Sequence, residues 1–196
     1  MPEKKTYQPH DYTSRADLQD SLRRSHIDPA KLSVFQRIIL TTDGTLTEIL
    51  EAYLSEKIRL VKLSETIESM TQDNLLLDIC NGQEVIERKI LLQGKISRNN
   101  WIYAESILVP DRLDEKLKNG LLVSQEPMGR LWLEHRLETF KEIVDSAREP
   151  AEDLADYFKI ERSDKLLSRT YRVFSGQRPI ILITEKFPET FYRDSI

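Results

Sequence analysis

The sequence predicts an α+β fold: a single domain with an antiparallel β-sheet and helices packed on one side of it. Three observations predict it. Apolar, β-branched runs follow one another at close spacing with turn residues between them, which makes linked strands antiparallel neighbours. Amphipathic stretches with helix-start signals are interspersed with those runs. Finally, the 196 residues contain no repeat, low-complexity tract or second-domain boundary, and this length suits one domain with a sizeable core.

In order along the chain, residues 1–13 are polar, with Pro2 and Pro9, and are expected to form a flexible tail ahead of a domain spanning residues 14–196. Leu18 and Leu22 predict a short helix over residues 14–25. Asp28-Pro29 is an N-cap followed by proline at the first helical position, opening a helix that carries Leu32, Phe35, Ile38 and Ile39 inward and stops near Thr41-Thr42-Asp43-Gly44. Thr45-Leu46-Thr47-Glu48 fits a capping box. The helix it starts runs to about Leu54, buries Ile49, Leu50 and Tyr53, and offers free backbone N–H groups that suit a carboxylate. Residues 58–63 are strand-like, residues 74–80 fit no one state, and Asn81-Gly82 turns the chain into a strand over residues 85–92. Residues 93–100 join that strand to the next, which ends at Pro110. Residues 111–118 form a short helix ended by Asn119-Gly120, and residues 127–132 begin another helical turn. Residues 140–147 suit strand or helix equally, and Pro150 opens a helix to Phe158. Residues 166–174 and 179–187 make a hairpin around Ser175-Gly176-Gln177.

Composition narrows the function. The chain is 39% hydrophobic and 32% charged, as in an ordinary globular protein. Its net charge of −4 argues against nucleic acid as a partner. It contains no membrane-spanning run and no signal-peptide core, and its single cysteine, Cys80, fits a reducing compartment, so the expected location is cytoplasmic. His10, His26 and His135 lie far apart without metal-ligand spacing, so no metal is expected. Neither a phosphate-binding glycine loop nor a nucleophile elbow is present, and Cys80 has no local base, which makes it a structural thiol.

Two residues break the apolar pattern. In the run from Ile180 to Phe187, alternation places Glu185 on one face with Ile181, Ile183 and Phe187. In the run from Val85 to Leu92, Arg88 shares a face with Ile86, Ile90 and Leu92. A buried carboxylate needs a cationic or hydrogen-bonding partner, and a buried guanidinium stays charged. A lone Arg and a lone Glu facing inward from separate strands are candidates for an acid-binding pocket; a structural ion pair between them is the competing reading. Arg172, which shares a face with Thr170 and Phe174, either reaches that pocket or is solvated.

At these residues the sequence resembles the chorismate pyruvate-lyases. Arg88 in Glu87-Arg88-Lys89-Ile90-Leu91-Leu92, residues 101–110, Glu126-Pro127-Met128-Gly129-Arg130 and residues 176–188 occur in that family's order, and the Thr42-Asp43-Gly44-Thr45-Leu46-Thr47 turn falls at its first flap. The resemblance spans about residues 36–190. It implies an antiparallel sheet with an internal ligand cavity under two helical flaps. The implied activity is elimination of pyruvate from chorismate to leave 4-hydroxybenzoate, without a cofactor. The family's ligand-contacting arginine falls on Arg88 and its glutamate on Glu185. Its flap contacts fall on Met128 and on Leu46, with Thr45 the neighbouring alternative. One bacterial branch carries arginine where Glu105 stands; this chain is closer to a branch with Ala-Glu-Ser. Glu105 shares a face with Trp101, Tyr103 and Ile107, which would turn it inward.

The resemblance therefore implies a lyase with a small-molecule substrate and product as partners, and quinone biosynthesis as the setting. The alternative is a non-catalytic aromatic-acid binding module, since the ligand-sensing domains of some transcription regulators resemble this family. Those follow a winged-helix unit, and the roughly 30 residues ahead of this domain hold none. Oligomeric state is left open.

Overall fold

Alternation along six strands gives the sheet two faces, and each is covered differently. The computed structural model describes Ser25, residues 27–113, Lys118 and residues 139–193. Its strands are β1 (Ile58–Ser69), β2 (Glu84–Gly94), β3 (Asn100–Leu108), β4 (Thr139–Pro150), β5 (Lys165–Ser175) and β6 (Arg178–Pro188). They form one sheet in the order β1-β2-β3-β6-β5-β4, antiparallel at every pairing. Among the described residues the helices that accompany it are α1 (Val34–Thr41), α2 (Leu46–Leu54) and the single turn α3 (Ala155–Phe158). The α+β architecture expected from the sequence is the one observed.

On the front face, α1 and α2 bury Phe35, Ile39, Leu46 and Leu50 against Leu92, Ile102, Leu167 and Phe187. A second front cluster gathers Ile86, Leu108, Val173, Ile181 and Ile183 nearer the other end of the strands. The back face carries α3, whose Ala155 and Phe158 meet Leu91, Tyr103 and Leu166. Leu77 and Ile79, from the β1–β2 connection, pack there on Val85 and Val109. The two longer helices thus share one side, and the single-turn helix takes the other.

Several boundaries differ from expectation for local reasons. Asp28 caps only a 3-10 turn, Pro29–Lys31; α1 starts at Ser33, whose hydroxyl accepts from the Gln36 amide while Gln36 Oε1 accepts from the Ser33 amide. Gln36 is buried because its side-chain amide donates to the Glu189 and Phe191 carbonyls, and Ile38 turns outward in its stead. Thr45 starts α2 without a side-chain cap, and Tyr53 remains partly exposed while stacking on Phe35. Residues 140–147 are strand. Pro150 ends β4, so the expected helix reduces to the 3-10 turn Glu152–Leu154 and α3. Pro110–Arg112 is a 3-10 turn, and of the helix expected over residues 111–118, residues 114–117 lie outside the described residues. Cys80 is exposed rather than packed. The tail over residues 1–13, nearly all of the expected helix over residues 14–25 and the helical turn at residues 127–132 lie outside the described residues.

Candidate active site

The front-face pocket lies between the two apolar clusters, where the cross-strand rows turn polar. One row aligns Glu65, Arg88, Ser106, Ile183 and Tyr171 across β1, β2, β3, β6 and β5. The adjacent row aligns Ile90, Ala104, Glu185 and Arg169. The start of α2, from Thr45 to Thr47, borders the same pocket. Leu60, Ile90, Leu92 and Ile183 give it aliphatic walls; Arg88, Glu185, Tyr171, Lys141 and Ser106 supply its polar atoms. Its volume is about 60 Å³, well below the roughly 150 Å³ of a cavity that takes up benzene.

Arg88 is 2% exposed, with its Nε 3.5 Å from Glu65 Oε2. Neither Nε nor Nη2 has a hydrogen-bond partner among the described residues. Burial pulls its pKa down, and the Glu65 charge opposes that shift. Buried guanidinium donors without acceptors are costly, which makes this position a ready anion site. Glu185 is also buried, and both of its oxygens are held. Oε2 accepts from Arg169 Nε at 2.7 Å and Oε1 from the Tyr171 hydroxyl at 3.1 Å. Burial, and then the Glu185 charge, push the Tyr171 phenol well above its usual range. Each carboxylate oxygen retains a second lone pair for a ligand.

Two cations tie the sheet to the turn ahead of α2. Arg169 Nη1 donates to the Thr42 carbonyl at 2.7 Å, and Lys141 Nζ to the Gly44 carbonyl at 3.1 Å. Burial lowers the Lys141 pKa, while Glu185 acts to raise it. Arg88, Glu185, Leu46 and its neighbour Thr45 therefore come together around one pocket; Met128 lies outside the described residues.

Three readings left by the sequence are decided by the geometry. Arg88 and Glu185 are not each other's ion-pair partners: Glu65 stands beside the first and Arg169 beside the second. Glu105 lies on the back face, opposite Lys89 and Thr184 in the ladder, with Lys186 Nζ 3.8 Å away. Arg172 alternates away from the pocket too, pairing with Glu142 and donating to the Leu76 carbonyl. Tyr171 and Lys141 line the pocket and Arg169 holds Glu185 in place, and sequence reasoning assigned none of the three to the site. Arg169 and Tyr171 could have been found from register, because they sit on the β5 face that meets Glu185.

Comparison with known proteins places this geometry. The family model described as "Chorismate pyruvate-lyase Rv2949c-like" matches residues 40–193. A chorismate pyruvate-lyase of Mycobacterium leprae is 29% identical over 169 residues, covering 84% of this chain and 79% of its own length. One of Mycobacterium tuberculosis is 28% identical over 173 residues, covering 84% and 85%. Among solved structures, the effector domain of PhnF from Mycobacterium smegmatis superposes with a TM-score of 0.56 at 15% identity, covering 76% of this chain and 90% of that one. The C-terminal domain of the histidine utilization repressor from Pseudomonas syringae pv. tomato gives 0.52 at 16% identity, covering 71% and 97%. At these identities the likeness is one of fold. The family match spans most of the sheet and every described residue of the pocket, and the chain belongs to the Rv2949c-like chorismate pyruvate-lyase family.

Proposed function

We propose that the protein eliminates pyruvate from chorismate to give 4-hydroxybenzoate in this pocket, without a cofactor. The observation that carries the reading is Arg88: a buried guanidinium in the pocket with two nitrogens that have no hydrogen-bond partner among the described residues. Such a group binds a carboxylate in bidentate fashion, and the low dielectric strengthens the pair. Arg88 takes the ring carboxylate. Glu185 faces the opposite, oxygen-bearing edge of the ring and removes the proton at C4. The C3–O bond breaks, its electron pair stays on oxygen, and the released enolpyruvate gains a proton to become pyruvate. Aromatisation supplies the driving force, so the protein chiefly fixes conformation, excludes water and places one base.

Hydrogen bonds support the base assignment. Arg169 and Tyr171 both donate to Glu185, which holds its carboxylate in place as an acceptor. The small volume requires a wall to yield when a ring enters. Leu46, at the start of α2, is the contact that moves, as a flap residue would; Met128 is proposed as the second flap contact.

Incubation with chorismate in the absence of metal, with both products followed by chromatography, tests the reading. Stoichiometric 4-hydroxybenzoate and pyruvate are expected. Glu185→Gln should lower kcat by about 10²- to 10⁴-fold, the usual worth of a positioned acid or base. A Gln variant with kcat near wild type would remove the base role, and an inactive wild type would leave the aromatic-acid binding module.

A further inference from the structure

We infer that Ser106 donates its hydroxyl to the ring carboxylate held by Arg88, in chorismate and in the aromatic product alike. The inference rests on the reading of this pocket as a site for that carboxylate, and adds its second contact. It starts from β3, whose front face presents Ile102, Ala104, Ser106 and Leu108. Two large aliphatic residues enclose two small ones. In the ladder, Ser106 stands opposite Arg88 on β2 and Ile183 on β6, while Ala104 stands opposite Ile90 and Glu185. β3 therefore runs between the strand that carries Arg88 and the strand that carries Glu185, and Ala104 and Ser106 form the floor between those two groups.

Ser106 is the polar member of that floor. It is 8% exposed, and its hydroxyl makes no hydrogen bond among the described residues. A buried hydroxyl without a partner costs stability that alanine at the same place would not. Ser146 is also buried with an unpartnered hydroxyl, but of the two Ser106 alone lines the pocket. Directly opposed strand residues carry Cβ atoms about 5 Å apart. The hydroxyl thus lies at the foot of the Arg88 side chain, in the row of the guanidinium rather than in that of Glu185. A carboxylate offers about four lone-pair sites; a bidentate guanidinium takes two and leaves others for a neutral donor. Ser106 supplies that donor from below. The elimination leaves the ring carboxylate untouched, so this contact is equally strong in substrate, transition state and product. It sets affinity and not rate.

Steady-state turnover of chorismate and inhibition by 4-hydroxybenzoate, measured on wild type, Ser106→Ala and Ser106→Cys, test the assignment. Ala removes the hydroxyl; Cys fills its space with a much weaker donor. Both variants should raise the KM for chorismate and the inhibition constant of 4-hydroxybenzoate together, by about 10- to 100-fold, the worth of a hydrogen bond to a charged group. Their kcat should stay within about twofold of wild type, as expected when the lost contact is the same in ground and transition states. The thermal midpoint of the ligand-free Ala variant should not fall, because the hydroxyl it lacks had no partner. Unchanged KM and inhibition constant in Ser106→Ala would overturn the inference. So would a loss in Ala that Cys restores, which would assign the effect to filled space. If the wild type binds 4-hydroxybenzoate but does not turn chorismate over, the lyase reading fails by itself. Calorimetric titration of the same variants with 4-hydroxybenzoate then decides the Ser106 assignment by the same loss. A wild type that binds neither compound would overturn both.

Discussion

Arg88 separates what a residue does for the ligand from what it does for the fold. A guanidinium that stabilised the native state would use its donors, yet Nε and Nη2 have no acceptor among the described residues and the Glu65 contact is long. Each unsatisfied buried donor costs about 1–3 kcal/mol, and replacing a buried charge by an apolar group of similar volume is often neutral or stabilising. Arg88→Met is therefore expected to bind no 4-hydroxybenzoate in calorimetry while its thermal midpoint stays level or rises by about 2–4 °C. A clear fall in midpoint would make Arg88 structural. Both Arg88 and Glu185 could be read from the sequence, since each is a charge at a position where strand alternation demands an apolar side chain. Arg169 was hidden by its own strand. Its neighbours Leu166 and Leu167 are buried on opposite faces, and Thr170 and Arg172 are polar on the other, so the local pattern does not identify the inward side.

At the level of elements, legibility follows burial. The central strands β2, β3 and β6 bury apolar side chains on both faces and were recognisable as strands; β4 was not. It is an edge strand in which Phe140 is 62% exposed and most other positions are partly covered, which dilutes the two-residue period and hid Lys141 with it. The β2–β3 turn is held from outside the hairpin. Glu56 Oε2 accepts from the Ile96 and Ser97 amides, both at 3.0 Å, and Oε1 accepts from the Ser97 hydroxyl at 2.7 Å. These Ser97 bonds lower the Glu56 pKa. Gly94 makes room for that carboxylate: a Cβ there would collide with Glu56 Oε1 and Ser97 Oγ. Gly94→Ala should expel the cap and lower the thermal midpoint by about 2–6 °C. Glu56→Gln alone should cost a similar amount, and the double variant little more than either, because both remove one interaction. Additive losses in the melting curves would show that Gly94 and Glu56 act separately.

Over the whole molecule, the sheet holds its tyrosines where a phenolate cannot be solvated. Tyr171 lies in the pocket. Tyr192 closes the aromatic cluster of Phe35, Tyr53, Trp101 and Phe187, donating its hydroxyl to the Trp101 carbonyl. Tyr103 packs on the back face under α3. Burial raises all three, Tyr171 and Tyr192 well above the usual phenol range and Tyr103 to about 12, where the negative charge of Glu105 adds to the effect. In the unfolded chain tyrosine titrates near 10. Above that pH the unfolded state releases protons that the native state keeps, so the native state binds more and stability falls as pH rises. The contribution is complete below about pH 10 and, for Tyr103, is lost between about 10 and 12. The thermal midpoint should thus show no loss from these phenols between pH 7 and 9.5 and decline steeply beyond 10. Tyr103→Phe is the sharper probe: the hydroxyl reaches Glu105 only at 3.5 Å, so its removal costs little at neutral pH. The variant should match wild type at pH 8 and lose less by pH 11. Parallel declines of the two proteins in calorimetry would assign the alkaline transition to Tyr171 and Tyr192, on the front face of the sheet.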